Sequence, residues 1–376
     1  SIGAIGISQK NPNTVYVAVV GKLWGNSSER GLYKTIDGGK NWQRILFVND
    51  STGCADFIMN PSQPDILYAS MWQVRRKPYA FASGGPGSAI MKSTDGGETW
   101  KKIQKELPAR DIGRAALAIA PSAPDKLVMI VESKKTSLFL TTDAGETWVE
   151  QGADDNVCAR PFYFSCLAID PIESNRVYRP AFYFSMSEDG GHSWAQAQQS
   201  NGWVHSDLHA LWINPKNTSH MYLGTDGGVY LSVDKGNNWL FLNNFTVSQL
   251  YHVQVDDQEP YNVYGGLQDN GSWRAPSQNP GGIQNGDWKN VGGGDGFWVQ
   301  PDAENHKIVY SEYQGGHFNR LDLNTNQSQD IQPKAEEGDP KLRFNWNTPI
   351  VRSLNNKKRI YMASQFLYRS DDKGIH

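Results

Sequence analysis

Cysteine is scarce in this chain: three in 376 residues, at Cys54, Cys158 and Cys166. Three thiols cannot build a disulfide scaffold, and they lack the C-x-x-C spacing of a zinc site. A Cys158–Cys166 bridge across a short loop and buried free thiols are equally open readings. Long apolar runs are missing as well, since stretches such as Ala115–Ala120 fall far short of the ~20 residues a spanning helix needs. Charge of one sign is also missing: 36 basic residues stand against 39 acidic, a formal −3, with no Lys/Arg block. That balance excludes the electrostatic footprint of a nucleic-acid binder and of a basic membrane-surface segment. Segments with a helical apolar period are almost absent, which removes βαβ architectures. The chain opens on Ser1 and runs straight into strand-like sequence, with no visible signal peptide, and it reads as cut at both ends.

What the chain has in quantity is turn residues and rings: 37 Gly, 19 Pro, 13 Trp, 16 Tyr and 14 Phe. Together they describe a turn-rich all-β protein. Its length allows one large or two ordinary domains.

An internal repeat organises these residues. Ser/Thr-x-Asp-x-Gly-x-x-Trp occurs at Thr35/Asp37/Gly39/Trp42, Ser93/Asp95/Gly97/Trp100, Thr141/Asp143/Gly145/Trp148, Ser187/Asp189/Gly191/Trp194 and Ser232/Asp234/Gly236/Trp239. A degenerate copy stands at Asp269/Gly271/Trp273, and another begins at Ser370/Asp372/Gly374. A second pattern precedes the boxes: an apolar strand ends in x-Pro, as in Ile58-Met-Asn-Pro61 and Ile169-Asp-Pro171, and a Tyr/Val-rich strand follows. The period is roughly 50 residues with about four short strands in each, the signature of a β-propeller blade. In the box the Asp caps backbone amides of a hairpin turn, Gly supplies a positive φ, and Trp folds back as an apolar plug. These aspartates therefore read as structural rather than catalytic.

First strands fall near residues 4, 54, 114, 163, 209, 251, 297 and 348. The expectation is a seven-bladed propeller over 1–345, with 346–376 opening a further blade or a second ring; rings of eight or ten blades fit the same count.

The boxes resemble the Asp-box, or BNR, repeats of sialidases, xyloglucanases and sortilin-type receptor propellers, over essentially the whole chain. More narrowly, Glu29–Gly39 (ERGLYKTIDGG), His205–Trp212 (HSDLHALW), Tyr264–Trp273 (YGGLQDNGSW), Gly293–Phe297 (GGDGF) and Arg343–Asn347 (RFNWN) resemble large secreted bacterial BNR-repeat proteins, glycosyl-hydrolase-like or sortilin-like. The resemblance implies a secreted, periplasmic or cell-surface protein with further domains in the same chain and a polysaccharide or protein ligand. Repeats of this kind sit on enzymes and receptors alike, so they specify fold better than function.

In a propeller the innermost strands line a central channel, and the residues leading into them are the binding candidates. Here these are Asp56, Arg114, Arg160, Tyr163, His205, Asp207, His209, Asp295, Arg343 and Asn345. His205-x-Asp207-x-His209, on a strand, would set three ligand types on one face. That suits Zn²⁺ or another divalent metal, although Cα atoms two apart lie ~6.5 Å from each other; the other reading is a hydrogen-bonded wall of a ligand pocket. Xyloglucanase-type chemistry, implied by the resemblance, would need two acids, and Asp207, Asp295 and Glu312 are the candidates. A sialidase would need an Arg triad, which Arg114, Arg160 and Arg343 could mimic, but the Arg-Ile-Pro motif is missing. The Gly-rich Gly265–Gly271 and Gly292–Gly296 match no phosphate loop. They read as turns presenting Gln268, Asp269, Asn270 and Asp295. Two insertions, Trp24–Arg30 and Trp72–Ser88, add Trp24, Trp72, Arg75, Arg76, Tyr79 and Phe81, suited to stacking on sugars or packing on a partner; the other reading is that they cover the propeller rim or a neighbouring domain. Asn26, Asn217 and Asn244 head glycosylation sequons. Outside the boxes stand Trp24, Trp72, Trp203, Trp212, Trp288, Trp298 and Trp346, several of them beside these candidates.

Overall fold

A computed structural model describes residues 1–108, 111–152, 155–196, 204–245 and 247–376; Trp203 and the sequon residue Thr246 lie outside them. The described residues form strands almost throughout, with a single 3₁₀ turn at Asn285–Asp287 among the described elements. The reason is local. Val15–Val19, for example, alternates half-buried and buried positions, with Tyr16 and Ala18 inside, the two-residue period of a pleated strand. No helix of the described residues is long and apolar enough to cross a membrane.

Eight antiparallel sheets follow one another in chain order. Their first strands are Ile2–Ile7, Thr52–Met59, Ala115–Ala120, Ala168–Ile169, Leu208–Ile213, Leu250–Val255, Val299–Pro301 and Ile350–Arg352. Six sheets have four strands each, and the last has three. The second carries a four-strand path and, off it, Ala80–Ser83 paired to the long strand Leu67–Lys77. This extra hairpin is the second insertion. The fourth first strand begins later than the expected position near 163, because residues around Arg160 fold as turns, with Arg160 itself at φ 43°.

The chain divides into two compact units, Ser1–Asn243 with five sheets and Asn244–His376 with three. This division falls between the fifth and sixth sheets, where the fifth ends in the two-residue strand Leu240–Phe241.

Within each unit the core lies between neighbouring sheets. Tyr68 and Ile90 of the second sheet pack with Leu117, Met129, Phe139 and Trp148 of the third. Ala118, Val128 and Leu138 of the third pack with Ile169 and Val177 of the fourth, and Tyr178 and Phe184 of the fourth with Leu208, Met221 and Leu223 of the fifth. In the second unit Tyr310 and Phe318 pack with Ile350, Ile360 and Met362. Each sheet thus buries its apolar face only against the next, as repeat architectures require.

The boxes are built alike. Thr35 Oγ1 donates to Asp37 Oδ1 at 2.7 Å, and the Gly39 N–H donates back to Thr35 Oγ1 at 3.1 Å. The Asn41 N–H donates to Asp37 Oδ1 at 3.0 Å, and Trp42 Nε1 to Gly39 O at 3.1 Å. Those donors hold the Asp37 carboxyl down at about 2, and the Thr99 hydroxyl and amide do the same for Asp95. A carboxylate saturated by its own turn has no lone pair spare for chemistry. The x-Pro turns share a similar device: Asn60 Oδ1 accepts the Ser62 and Gln63 amides, and Asp170 Oδ1 those of Ile172 and Glu173.

All three cysteines are unbridged. Burial pushes the Cys166 thiol up to about 11.

Candidate functional site

In the first unit the polar candidates stand in or shortly before the first strands of four successive sheets, and contacts link these segments. Asp56 lies at a bulge of its strand, between Cys54 and Asp56, and its Oδ2 accepts the Leu117 N–H of the next sheet at 3.0 Å. Burial raises its carboxyl to about 7, against the pull of the Leu117 amide and the Arg114 charge. Arg114 precedes the third first strand. Its Nη1 donates to Phe162 O at 3.1 Å, its guanidinium lies 5.3 Å from the Trp72 ring, and its N–H donates to Glu132 Oε2 at 2.8 Å. Its own pKa is lowered by burial.

The 160s turn continues the row. Arg160 lies over Tyr163 at 5.2 Å and over Phe164 at 5.8 Å. Tyr163, 43% exposed, meets His209 edge-on at 5.2 Å, while Phe164 stacks on His209 at 5.8 Å. His209 Nε2 pairs with Asp226 Oδ1 at 3.0 Å. The turn is held from beneath by Arg179. Nε donates to Val157 O at 2.8 Å, Nη1 to Cys166 O at 2.7 Å and Pro180 O at 3.3 Å, and Nη2 to Phe164 O at 3.0 Å. The result is a row of alternating charges with a half-exposed phenol ring, an arrangement that can hydrogen-bond and stack.

The metal reading of His205-x-Asp207-x-His209 fails on geometry. Asp207 adopts φ 61° and the strand starts only at Leu208, with a bulge between Leu208 and Ala210, so the two-residue alternation does not run through the three residues. His209 turns to Asp226, while His205 Nδ1 sits 2.9 Å from Ser206 O. Among the described residues no group of three His, Cys, Asp or Glu could hold a metal ion. Asp207 itself is raised, by burial first and then by the Asp226 charge, against the pull of Arg160, His209 and His205; its Oδ1 is buried without a hydrogen-bond partner.

The second unit gathers the remaining candidates. Asp295 Oδ1 accepts the Asp269 N–H at 2.9 Å, and its Oδ2 accepts Trp346 Nε1 at 3.2 Å. Gln268 Oε1 accepts from Gln249 Nε2 at 2.7 Å, and Asn270 Nδ2 donates to Gln268 O at 2.8 Å. Beside them His252 stacks on Trp298 at 3.9 Å, and Asn347 bridges the pair, accepting from Trp298 Nε1 at 2.9 Å. Asn345 is exposed, and its carbonyl accepts the Thr348 hydroxyl at 2.8 Å. Glu312 is not at a strand start but inside the second strand of its sheet, wholly buried. Its Oε1 accepts the Thr348 N–H at 3.1 Å, and burial pushes its carboxyl up to about 8. Of the three acids considered for hydrolysis, Asp207 belongs to the first unit and Asp295 and Glu312 to the second.

The insertions divide. Trp72, expected on the surface, is 7% exposed with Nε1 bonded to Ser83 Oγ at 2.9 Å, because the hairpin folds back and Phe81 packs on Phe162 at 5.0 Å. Trp24 and Tyr79 stay outside, with Arg76 lying 5.2 Å from the Trp24 ring. Sequence reasoning missed Asp226, Phe164 and Arg179. Asp226 carried one signal, its place in the Thr225-Asp-Gly-Gly228 turn.

The BNR/Asp-box repeat model matches residues 91–102, the second box. No curated protein matches the chain. Among solved structures it is similar to the GH74 xyloglucanase from Xanthomonas campestris at 15% identity and TM-score 0.42, over 100% of this chain and 68% of that one. It is also similar to an ancestral GH74 enzyme, at 16% identity and TM-score 0.46, over 99% of this chain and 62% of that one. A third is YCF48 from Cyanidioschyzon merolae, at 15% identity and TM-score 0.39, over 82% of this chain and 92% of that one. The chain thus spans about two thirds of the length of the two GH74 enzymes. The chain thus carries BNR/Asp-box repeats, the second of which the family model matches.

Proposed function

We propose that the chain is a secreted or cell-surface β-propeller module, its sheets serving as blades of a seven-bladed ring and the last opening a further one. In this reading it binds a carbohydrate or polypeptide ligand along the row from Asp56 to Asp226. One observation carries this: polar and aromatic groups in or before the first strands of four successive sheets are joined through Asp56, Arg114, the 160s turn and His209. Arg160, half-exposed Tyr163 and the His209–Asp226 pair favour a carbohydrate, since a pyranose takes a ring face together with charged and neutral hydrogen-bonding groups. Calorimetry against neutral oligosaccharide and peptide panels tests it. Arg160→Ala and His209→Ala are each expected to weaken saccharide binding about tenfold, the worth of one lost charge-assisted contact. Binding untouched by both variants, or confined to peptides, contradicts the carbohydrate reading.

A hydrolytic reading rests on the raised Asp207 carboxyl beside the Asp226 charge, the pattern of two acids held in different protonation states. Release of reducing ends that is lost in Asp207→Asn supports it; binding with no release leaves the module a binder.

A further inference from the structure

The second unit holds a groove of about 700 Å³ on the side of its last two sheets, within the roughly 300–1,000 Å³ typical of small-ligand sites. Gly315, His317 and Phe344 line it together with residues from two stretches, 332–335 and 341–343. Three of the lining side chains are cations, Lys334, Lys341 and Arg343, and none is a carboxylate. Lys334 reaches Asp330 at 3.5 Å across an exposed pair; among the described residues Lys341 and Arg343 have no ion-pair partner. Two of the three cations in this concavity are thus without an ion-pair partner, while Glu336, Glu337 and Asp339 stand in the stretch between its two lining segments; unpaired cations gathered in a concavity attract an anionic ligand.

The backbone of this wall is already satisfied. Gln365 Oε1 accepts the Arg343 N–H at 2.7 Å, and Gln365 Nε2 donates to Lys341 O at 3.2 Å. Those two bonds occupy main-chain groups of the 341–343 stretch that an extended peptide would need in order to add as a strand. What it offers is side-chain cations beside ring faces. His317 lies flat on Tyr313, with centroids 4.8 Å apart and planes at 13°, and Phe344 closes the bottom. A Cβ at Gly316, which has φ 72°, would meet the Phe344 ring at 2.5 Å, so the turn lets this ring seat against the backbone.

We propose that this groove binds an acidic saccharide, a uronate-bearing chain whose carboxylates meet Lys341, Arg343 and Lys334 while a sugar ring lies against His317 and Phe344. This site is separate from the row in the first unit and does not depend on it.

The test is calorimetry on the full chain with an oligogalacturonate, a neutral oligosaccharide and poly-glutamate as probes. The Lys341→Ala/Arg343→Ala double variant is expected to weaken oligogalacturonate binding at least about tenfold and to leave neutral-oligosaccharide binding unchanged. Both residues are exposed, so their truncation does not disturb the core. Lys341→Glu provides a second variant, expected to abolish binding. Raising salt should weaken the wild-type interaction, as screening requires. The proposal is overturned if oligogalacturonate does not bind, if the double variant binds it as tightly as the wild type, if poly-glutamate binds as well, or if the double variant weakens neutral-sugar binding to the same extent.

Discussion

Arg179→Met is expected to cost the first unit about 3–5 kcal/mol, the range for deleting one member of a buried charged network. The guanidinium is fully buried, and burial lowers it to about 10, so it remains a cation at neutral pH. No carboxylate pairs with it among the described residues. Its donors end on the carbonyls of Val157, Phe164, Cys166 and Pro180. Methionine fills much of the volume but leaves those carbonyls buried without donors, each at about 1–3 kcal/mol before relaxation. Arg179→Lys should fail nearly as badly, because one ammonium cannot reproduce a planar fork. Urea unfolding measures the loss. Saccharide binding should fall in both variants even where they remain folded, since the clamp holds the turn carrying Arg160 and Tyr163. A variant within 1 kcal/mol of the wild type would mean that the turn is held by something else.

Glu312→Gln should stabilise the second unit at high pH and leave it unchanged at low pH. In the folded chain burial raises this carboxyl from 4.5 to about 8. The folded state therefore keeps a proton that the unfolded chain releases. The contribution of Glu312 to stability is complete below about pH 4.5, and it declines as pH rises until the folded carboxyl itself ionises near 8. Above that, the wild type carries a buried carboxylate whose Oε2 has no hydrogen-bond partner. Glutamine keeps the acceptor for the Thr348 amide and carries no charge. The two proteins should unfold alike at pH 4, with the variant ahead at pH 9 by an amount on the order of 4 kcal/mol. Parallel stability curves from pH 4 to 9 would show that Glu312 titrates normally.

The sequence carried the fold through its turns. Each box fixes a hairpin with its own side chains, so Asp37 and Trp42 act within a few residues of each other, and such local chemistry reads directly from spacing. The Asn60 and Asp170 turns read for the same reason. Strand starts were legible too, because polar residues such as Asp56 and Arg114 interrupt apolar runs there. What was hidden depends on contacts distant in sequence or on backbone conformation. Nothing around Arg179 shows that its donors would be spent on a turn 13 to 22 residues upstream. The alternation assumed for His205, Asp207 and His209 failed because Asp207 takes a left-handed φ, which its residue type tolerates but does not announce. Glu312 looked like a candidate acid because its type suits catalysis, and only its complete burial places it in the support of the fold.

The central claim is that the 160s turn and the start of the fifth first strand together contact a saccharide. Hydrogen exchange with and without a bound neutral oligosaccharide tests it most directly. The account predicts slowed exchange in peptides covering 160–166 and 205–210, with the box hairpins around Asp95 and Asp143 unchanged. Protection that spares both segments while the sugar is bound would contradict it.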